Sequence, residues 1–282
     1  MTRIAVTGAT GHIGSRVARG LVSEGIGDEL TVRLIVRDPQ RAPHIEGAEI
    51  AVAEYRDGAA AEKALDGVDV LFMVSAHESA DRVHEHVTFI NAAAQAGVRH
   101  IVYTSFIGAG DSAGFTLARD HGATEAAIRD SGMEYTFLRD NFYLDLLPEF
   151  ADENGVIRGP AGDGVTAAVA RADVADVATI VLLHPDQHVN VIYELTGPEA
   201  LSFAELARRA SAATGRSFTF VNETLEEAYA SRAHYGAPDW QVEAWVSTYT
   251  AIADGELARV THDVQTITGH APRTLEDVLG NR

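Results

Sequence analysis

The chain has 282 residues, no cysteine, and 41 acidic against 22 basic residues, for a net charge of −19. Without cysteine there is no disulfide framework, thiol nucleophile or Cys-ligated metal. The acidic excess argues against a nucleic-acid partner, because that affinity comes from Lys and Arg set on phosphates. In chain order, short β-branched runs alternate with helical stretches over the first 140 residues. Strands are predicted at Arg3–Thr7, Thr31–Val36, Glu49–Ala53, Val68–Val74, His100–Thr104 and Tyr135–Arg139. Helices are predicted between them at His12–Ser23, Ala59–Leu65, Ala80–Ala96 and Thr116–Asp130. Strands that alternate with helices imply βαβ units and a parallel sheet. Val70–Val74 and Ile101–Tyr103 are apolar on both faces, as strands covered from both sides must be. Gly97 and Gly132 stand where helices end.

After about residue 150 the pattern loosens into a glycine-rich loop region. A helix is then expected over Asp173–Leu183 with Asp173 as N-cap, and a strand over Val191–Leu195. Ser202-Phe203-Ala204-Glu205 fits a capping box that opens a helix to about Ala213. Residues 224–257 read as helical and carry both tryptophans. The expected fold is α/β: a doubly wound parallel sheet over 1–150, then a smaller, mainly C-terminal lobe over 151–282. A segment near 191–197 is expected to return to the first lobe. No apolar run approaches the length of a membrane span or a signal peptide, so the chain reads as cytoplasmic.

The chemistry begins at Thr7-Gly8-Ala9-Thr10-Gly11-His12-Ile13-Gly14, between the first strand and the first helix. Gly8 suits a tight turn, Gly11 a close approach to a pyrophosphate, and Gly14 close packing of the helix on the sheet. Amides at the helix start face the phosphates, and the helix dipole favours negative charge there. A dinucleotide site is expected. The end of the second strand then selects the cofactor, since an acidic residue suits a ribose 2′-hydroxyl and an arginine suits a 2′-phosphate. Here Val36 is followed by Arg37, about 20 residues past the glycines. Arg37 can hold a phosphate bidentately, which favours NADP(H) over NAD(H). The alternative is an Arg37 paired with its neighbour Asp38.

These segments resemble the atypical short-chain dehydrogenase/reductases of the NmrA-like group. The likeness runs through Ile35–Pro39, Ala96–Ser105 and Tyr135–Arg139. Asp120-His121-xxx-Glu125, Leu138-Arg139-x-Asn141-x-Tyr143 and the stretch from Gly159 to Asp173 resemble the branch of quinone oxidoreductases and triphenylmethane-dye reductases. The resemblance implies a Rossmann lobe with a smaller substrate lobe. It implies phosphate contacts at Gly8, Thr10, Gly11, His12 and Ile13, with Gly14 in the same cofactor-binding motif, and adenosine-phosphate contact at Arg37. Val74, Ser75, Ala76, Asn141, Phe142 and Tyr143 would lie near the ribose or nicotinamide, with Arg171 reaching in.

Conventional members of the wider family use Tyr-x-x-x-Lys, in which the lysine lowers the phenol's pKa. The only lysine here is Lys63, on what reads as a surface helix, so that dyad is absent. A quinone or a cationic dye accepts hydride without strong acid catalysis, and proximity and orientation then carry the rate. His121 could line the substrate site or form a structural i,i+4 pair with Glu125. Tyr143 could donate a proton or simply pack, whereas Tyr103 reads as core. Trp240, Trp245 and Tyr249 could wall an aromatic pocket or pack a helix. His84-Glu85-His86 lacks zinc-site spacing, and no metal is expected. The expectation is an NADPH-dependent oxidoreductase acting on quinones or dye-like acceptors, as a monomer or homodimer. The alternative is a non-catalytic NAD(P) sensor that binds a protein partner.

Overall fold

The computed structural model describes residues 2–24 and 30–280. The chain opens with β1 (Thr2–Val6), α1 (His12–Glu24), β2 (Leu30–Val36), β3 (Glu49–Val52) and α2 (Gly58–Leu65). It continues with β4 (Val70–Met73), α3 (Arg82–Gln95), β5 (His100–Phe106), α4 (Thr116–Asp130) and β6 (Glu134–Asp140). Then come β7 (Val156–Gly159), β8 (Val165–Thr166), α5 (Arg171–Leu183), β9 (Val191–Leu195) and β10 (Leu201–Ser202). The last elements are α6 (Phe203–Thr214), β11 (Thr219–Asn222), α7 (Leu225–Arg232), α8 (Asp239–Ala253), α9 (Asp263–Thr268) and α10 (Leu275–Leu279).

One seven-stranded sheet runs in the order β3-β2-β1-β4-β5-β6-β9. β1 pairs in parallel with both β2 and β4, and β2–β3 and β4–β5 are parallel too. This is the doubly wound α/β architecture expected, with its switch point between β1 and β4. Every residue of β4 and β5 is buried, as their two-faced apolar runs require.

Two compact units are present. The first comprises Met1–Ser105, Asp120–Arg139 and Val174–Tyr193; the second comprises Phe106–Arg119, Asp140–Asp173 and Glu194–Arg282. The units interleave along the chain, where a single division near residue 150 was expected. Adding a parallel strand needs a crossover helix, so α5 joins the first unit together with most of β9, well before the expected return at 191–197. The first unit's core is made by Leu71, Met73, Phe89, Ile90, Ile101, Tyr103 and Phe137. The second unit pairs β8 with β10 and β7 with β11. Its core gathers Phe106, Phe115, Phe203 and Tyr249.

Local signals account for several boundaries. Ser202 and Glu205 form the expected reciprocal capping box at the start of α6. Asp57 caps α2 through Ala60 N–H at 3.0 Å. Asp173 differs from expectation: α5 begins at Arg171, so Asp173 lies inside the first turn. Its buried carboxylate instead takes the Arg273 backbone N–H at 2.8 Å and the Arg273 guanidinium. Residues 224–257 are not one helix, because Gly236 adopts a left-handed conformation after α7 and Pro238 precedes α8. Tyr249 is core, packed 5.1 Å from Phe203 and 5.3 Å from the Arg232 guanidinium. Trp240 and Trp245 are half-buried, and Trp245 meets Tyr235 edge-on at 5.7 Å.

The turn from β1 into α1 is the tightest place in the first unit. Gly8 has φ of 62°, and a β-carbon there would lie 3.0 Å from Val74 Cβ. A β-carbon on Gly14 would press on Gly8 O and lie 2.8 Å from Thr7 O. On Gly11 it would meet only Gly8 O, at 3.3 Å. Gly14→Ala is therefore expected to lower stability by about 1–3 kcal/mol, and Gly11→Ala by less. Urea unfolding midpoints of the two variants test that order.

Candidate functional site

At the carboxyl ends of β1, β2, β3 and β4 the first unit opens a groove of about 400 Å³. Its walls are Thr7–Thr10 from the glycine turn, Ile35–Arg37 at the end of β2, Ala53–Arg56 after β3, Val74–His77 after β4, and Glu85 of α3. Open parallel sheets hold their ligands at such strand ends, next to the switch point. Gly8, Thr10, Gly11 and His12 are exposed, so the turn and the first amides of α1 face outward. Ile13 and Gly14 are buried, which leaves only their backbones for any ligand. Six of the expected residues thus share one groove: Gly8, Thr10, Arg37, Val74, Ser75 and Ala76. Arg37 does not pair with Asp38. The Asp38 carboxylate accepts Gln40 N–H at 2.9 Å and caps a short 3₁₀ turn.

The Val74–Ala76 wall is irregular backbone, yet its polar groups are held by side chains. Val74 N–H donates to Thr7 Oγ1 at 2.9 Å, Ser75 N–H to Thr104 Oγ1 at 2.8 Å, and Ala76 N–H to His86 Nε2 at 2.9 Å. Tyr55 Oη donates to Val74 O at 2.5 Å, and Arg82 Nε donates to Ala76 O at 3.1 Å. Tyr55, His86, Arg82 and Thr104 are not among the residues expected from sequence. A signal was present: Arg82 and His86 are four apart on α3, so both can face the sheet.

The proton positions follow from the donors. His86 Nε2 accepts from Ala76, so the neutral ring carries its proton on Nδ1 and donates to Thr124 Oγ1 at 2.8 Å. Arg82 can only donate, so His121 Nε2 accepts from Arg82 Nη2 at 3.1 Å, and Nδ1–H donates to Tyr103 Oη at 2.8 Å. Burial, reinforced by Arg82, pushes the His86 pKa down to about 3. Burial followed by Arg82 and His86 sets His121 well below its usual range. His121, the expected catalytic candidate, is buried at 6% exposure with both ring nitrogens bonded, which does not fit a substrate-lining role. Glu125 is likewise committed. Arg139 grips its carboxylate at 2.8 and 2.7 Å, and Ser105 Oγ donates to it at 2.6 Å.

The other expected residues belong to the second unit. The Asn141 side chain donates to Leu257 O at 3.0 Å and accepts from Thr166 Oγ1 and Phe142 N–H, at 2.8 and 2.7 Å. Its amide is spent on folding and does not fit a cofactor contact. Phe142 packs 5.3 Å from Phe106. Arg171 N–H donates to Asp145 at 2.9 Å. Tyr143 Oη donates to Asp140 Oδ2 at 2.7 Å. Burial pushes the Asp140 pKa up to about 8, against the opposing effect of the Tyr143 hydrogen bond, and Asp140 Oδ1 has no hydrogen-bond partner among the described residues. No described helix is long and apolar enough to cross a membrane.

A glycine turn into a helix, at the switch point of a doubly wound sheet, defines a dinucleotide-binding protein. The chain matches the model of an NAD(P)H-binding family over residues 8–185, and it belongs to that family within the NmrA-like group. It is 33% identical to quinone oxidoreductase 2 of Escherichia coli over 99% of this chain and 98% of the relative. The structure of that enzyme with NADPH superposes with a TM-score of 0.87 over 99% of both chains. It is 34% identical to an NAD(P)H azoreductase of Xenophilus azovorans over 97% of this chain and 96% of the relative. The Citrobacter sp. triphenylmethane reductase complexed with NADP(H) is similar too, at 31% identity and a TM-score of 0.85 over 99% of both chains.

Two outcomes follow for the buried groups. His86 stays neutral in the fold but takes a proton near 6.5 when unfolded. Its contribution is therefore present above pH 6.5 and is lost as the pH falls toward about 3. Thermal melts should show His86→Gln less acid-sensitive than wild type between pH 6.5 and 4, with His86→Leu destabilised by about 1–3 kcal/mol for the unpaired Ala76 amide. Asp140 behaves oppositely: its burial stabilises the neutral acid, so stability is lost as pH rises from about 4 toward about 8. Asp140→Asn should gain on wild type over that range, by at most about 1.4 kcal/mol per pH unit.

Proposed function

We propose that this protein is an NAD(P)H-dependent oxidoreductase that passes a hydride to quinones and similar flat, electron-poor acceptors, dyes included, with NADPH preferred. The observation that carries the proposal is the groove at the β1–β4 strand ends with Arg37 on its wall, in a chain whose only lysine, Lys63, is exposed on α2. The activities named for the relatives agree with it.

In this assignment the amides at the start of α1, from His12 on, meet the pyrophosphate next to the Gly8–Gly11 turn, whose Gly11 N–H is already bonded to Gly8 O at 2.8 Å, while Arg37 takes the 2′-phosphate. The Val74–Ala76 backbone forms the wall along the dinucleotide. Its three amides and the carbonyls of Val74 and Ala76 are already bonded, so it offers shape and the Ser75 hydroxyl without having to reorganise. The reduced nicotinamide, when bound, supplies the hydride. The protein holds the dinucleotide in place and needs no lysine-tuned phenol, because a quinone reduced by hydride becomes a delocalised anion that water can protonate. A cationic dye is neutralised outright. Holding two reactants in register is itself a large share of catalysis.

The test is oxidation of NADPH followed optically with a panel of quinones, azo dyes and cationic dyes. Turnover on at least one class is expected. Tight NADPH binding with no turnover across the panel would overturn the enzyme assignment. Arg37→Ala should weaken NADPH at least about tenfold and leave NADH within about twofold, the scale of one charge-assisted hydrogen bond. Equal losses for the two cofactors would remove Arg37 from that role.

A further inference from the structure

Arg37 is not the only cation on the groove. Glu54, Tyr55 and Arg56, from the stretch that follows β3, line it as well. β2 and β3 are adjacent and parallel, with Val36 opposite Val52, and Ala53 N–H donates to Val36 O at 3.1 Å. Arg37 and Arg56 therefore follow the carboxyl ends of neighbouring strands, and both line the groove. Arg37 forms no hydrogen bond or ion pair among the described residues. Arg56 is held by one edge only: its Nε donates to Glu54 Oε2 at 2.7 Å. The side chain is 72% exposed, and its two Nη groups have no partner among the described residues.

This arrangement differs from an ordinary surface ion pair in what it leaves over. Glu54 aims the guanidinium while occupying only its Nε edge, so the terminal fork stays available. A guanidinium fork matches the oxygens of a phosphate. Glu54 also puts a negative charge beside that fork. That charge opposes a phosphate dianion and can accept a hydrogen bond from a ribose hydroxyl.

We propose that Arg56 is a second reader of the 2′-phosphate, beside Arg37, and that Glu54 sets how strongly the groove prefers the phosphorylated dinucleotide. The inference rests on the assignment of this groove to a dinucleotide. Arg56 adds affinity for the 2′-phosphate form alone. Glu54 subtracts from it and supports the unphosphorylated form, so the pair tunes the ratio between the two cofactors.

The experiment is titration of wild type, Arg56→Ala, Arg56→Lys, Glu54→Gln and Arg37→Ala with NADPH, NADH, adenosine 2′,5′-bisphosphate and 5′-AMP, read by tryptophan fluorescence and calorimetry. Arg56→Ala is expected to weaken NADPH and the bisphosphate about tenfold, and NADH and 5′-AMP less than about twofold. Arg56→Lys should recover part of the loss, as a charge without the fork. Glu54→Gln should raise the ratio of NADPH to NADH affinity severalfold. Equal effects of Arg56→Ala on all four probes, or no effect, would overturn the proposal, as would a ratio unmoved by Glu54→Gln. Selective loss with Arg37→Ala but not with Arg56→Ala removes Arg56 and leaves the groove assignment standing. Wild type that binds neither dinucleotide removes both.

Discussion

Three consecutive amides after β4 take their acceptors from side chains rather than from a neighbouring strand. Val74, Ser75 and Ala76 are tied to Thr7, Thr104 and His86, and the carbonyls of Val74 and Ala76 to Tyr55 and Arg82. A strand that ends at a ligand groove must stop pairing there, and the backbone groups it frees need partners. This chain recruits them from the turn after β1, β5, α3 and the stretch after β3, so one short wall draws on four parts of the first unit. Gly8 completes the constraint, because Val74 sits where a β-carbon on Gly8 would go. The turn that faces the ligand and the wall beside it are thus set against each other.

The same requirement explains the charge states below the groove. His86 and His121 are neutral because burial penalises their charged forms and Arg82 stands beside them. Arg82, only 4% exposed, has Asp120 within 3.4 Å and spreads its donors over Ala76, His121 and Asp120. A buried guanidinium with its hydrogen bonds satisfied is tolerable where an isolated cation is not. Each histidine then has a single tautomer that fits. A network with one consistent set of donors resists rearrangement better than one with several.

Much of the fold was legible in the sequence, because its strongest signals are local. The apolar runs of β4 and β5, the glycine turn and the Ser202 capping box each depend on residues a few positions apart, and the structure contains them all. The groove was legible where it is built from strand ends: Gly8, Arg37 and Val74–Ala76 all line it. The misses involve side chains whose partners lie far along the chain. Asp173 looks like a helix cap until Arg273 arrives from 100 residues away. His121 reads equally as a substrate-lining group or as an i,i+4 partner of Glu125, and its actual partners, Tyr103 and Arg82, come from other segments. Tyr55 carries no motif, and the four-residue spacing of Arg82 and His86 does not name their partners, since what all three hold is backbone of another segment.

Lys63 lies in the last turn of α2, exposed, and is not among the residues that line the groove. As the only side-chain amine, it gives acylating reagents a single side-chain address. Among the side chains, a resin carrying activated esters could then grip the molecule only at this point, with an α-amino group the remaining competitor because its pKa is lower. The scarcity that removes a familiar catalytic dyad thus also leaves a single side-chain handle for attachment.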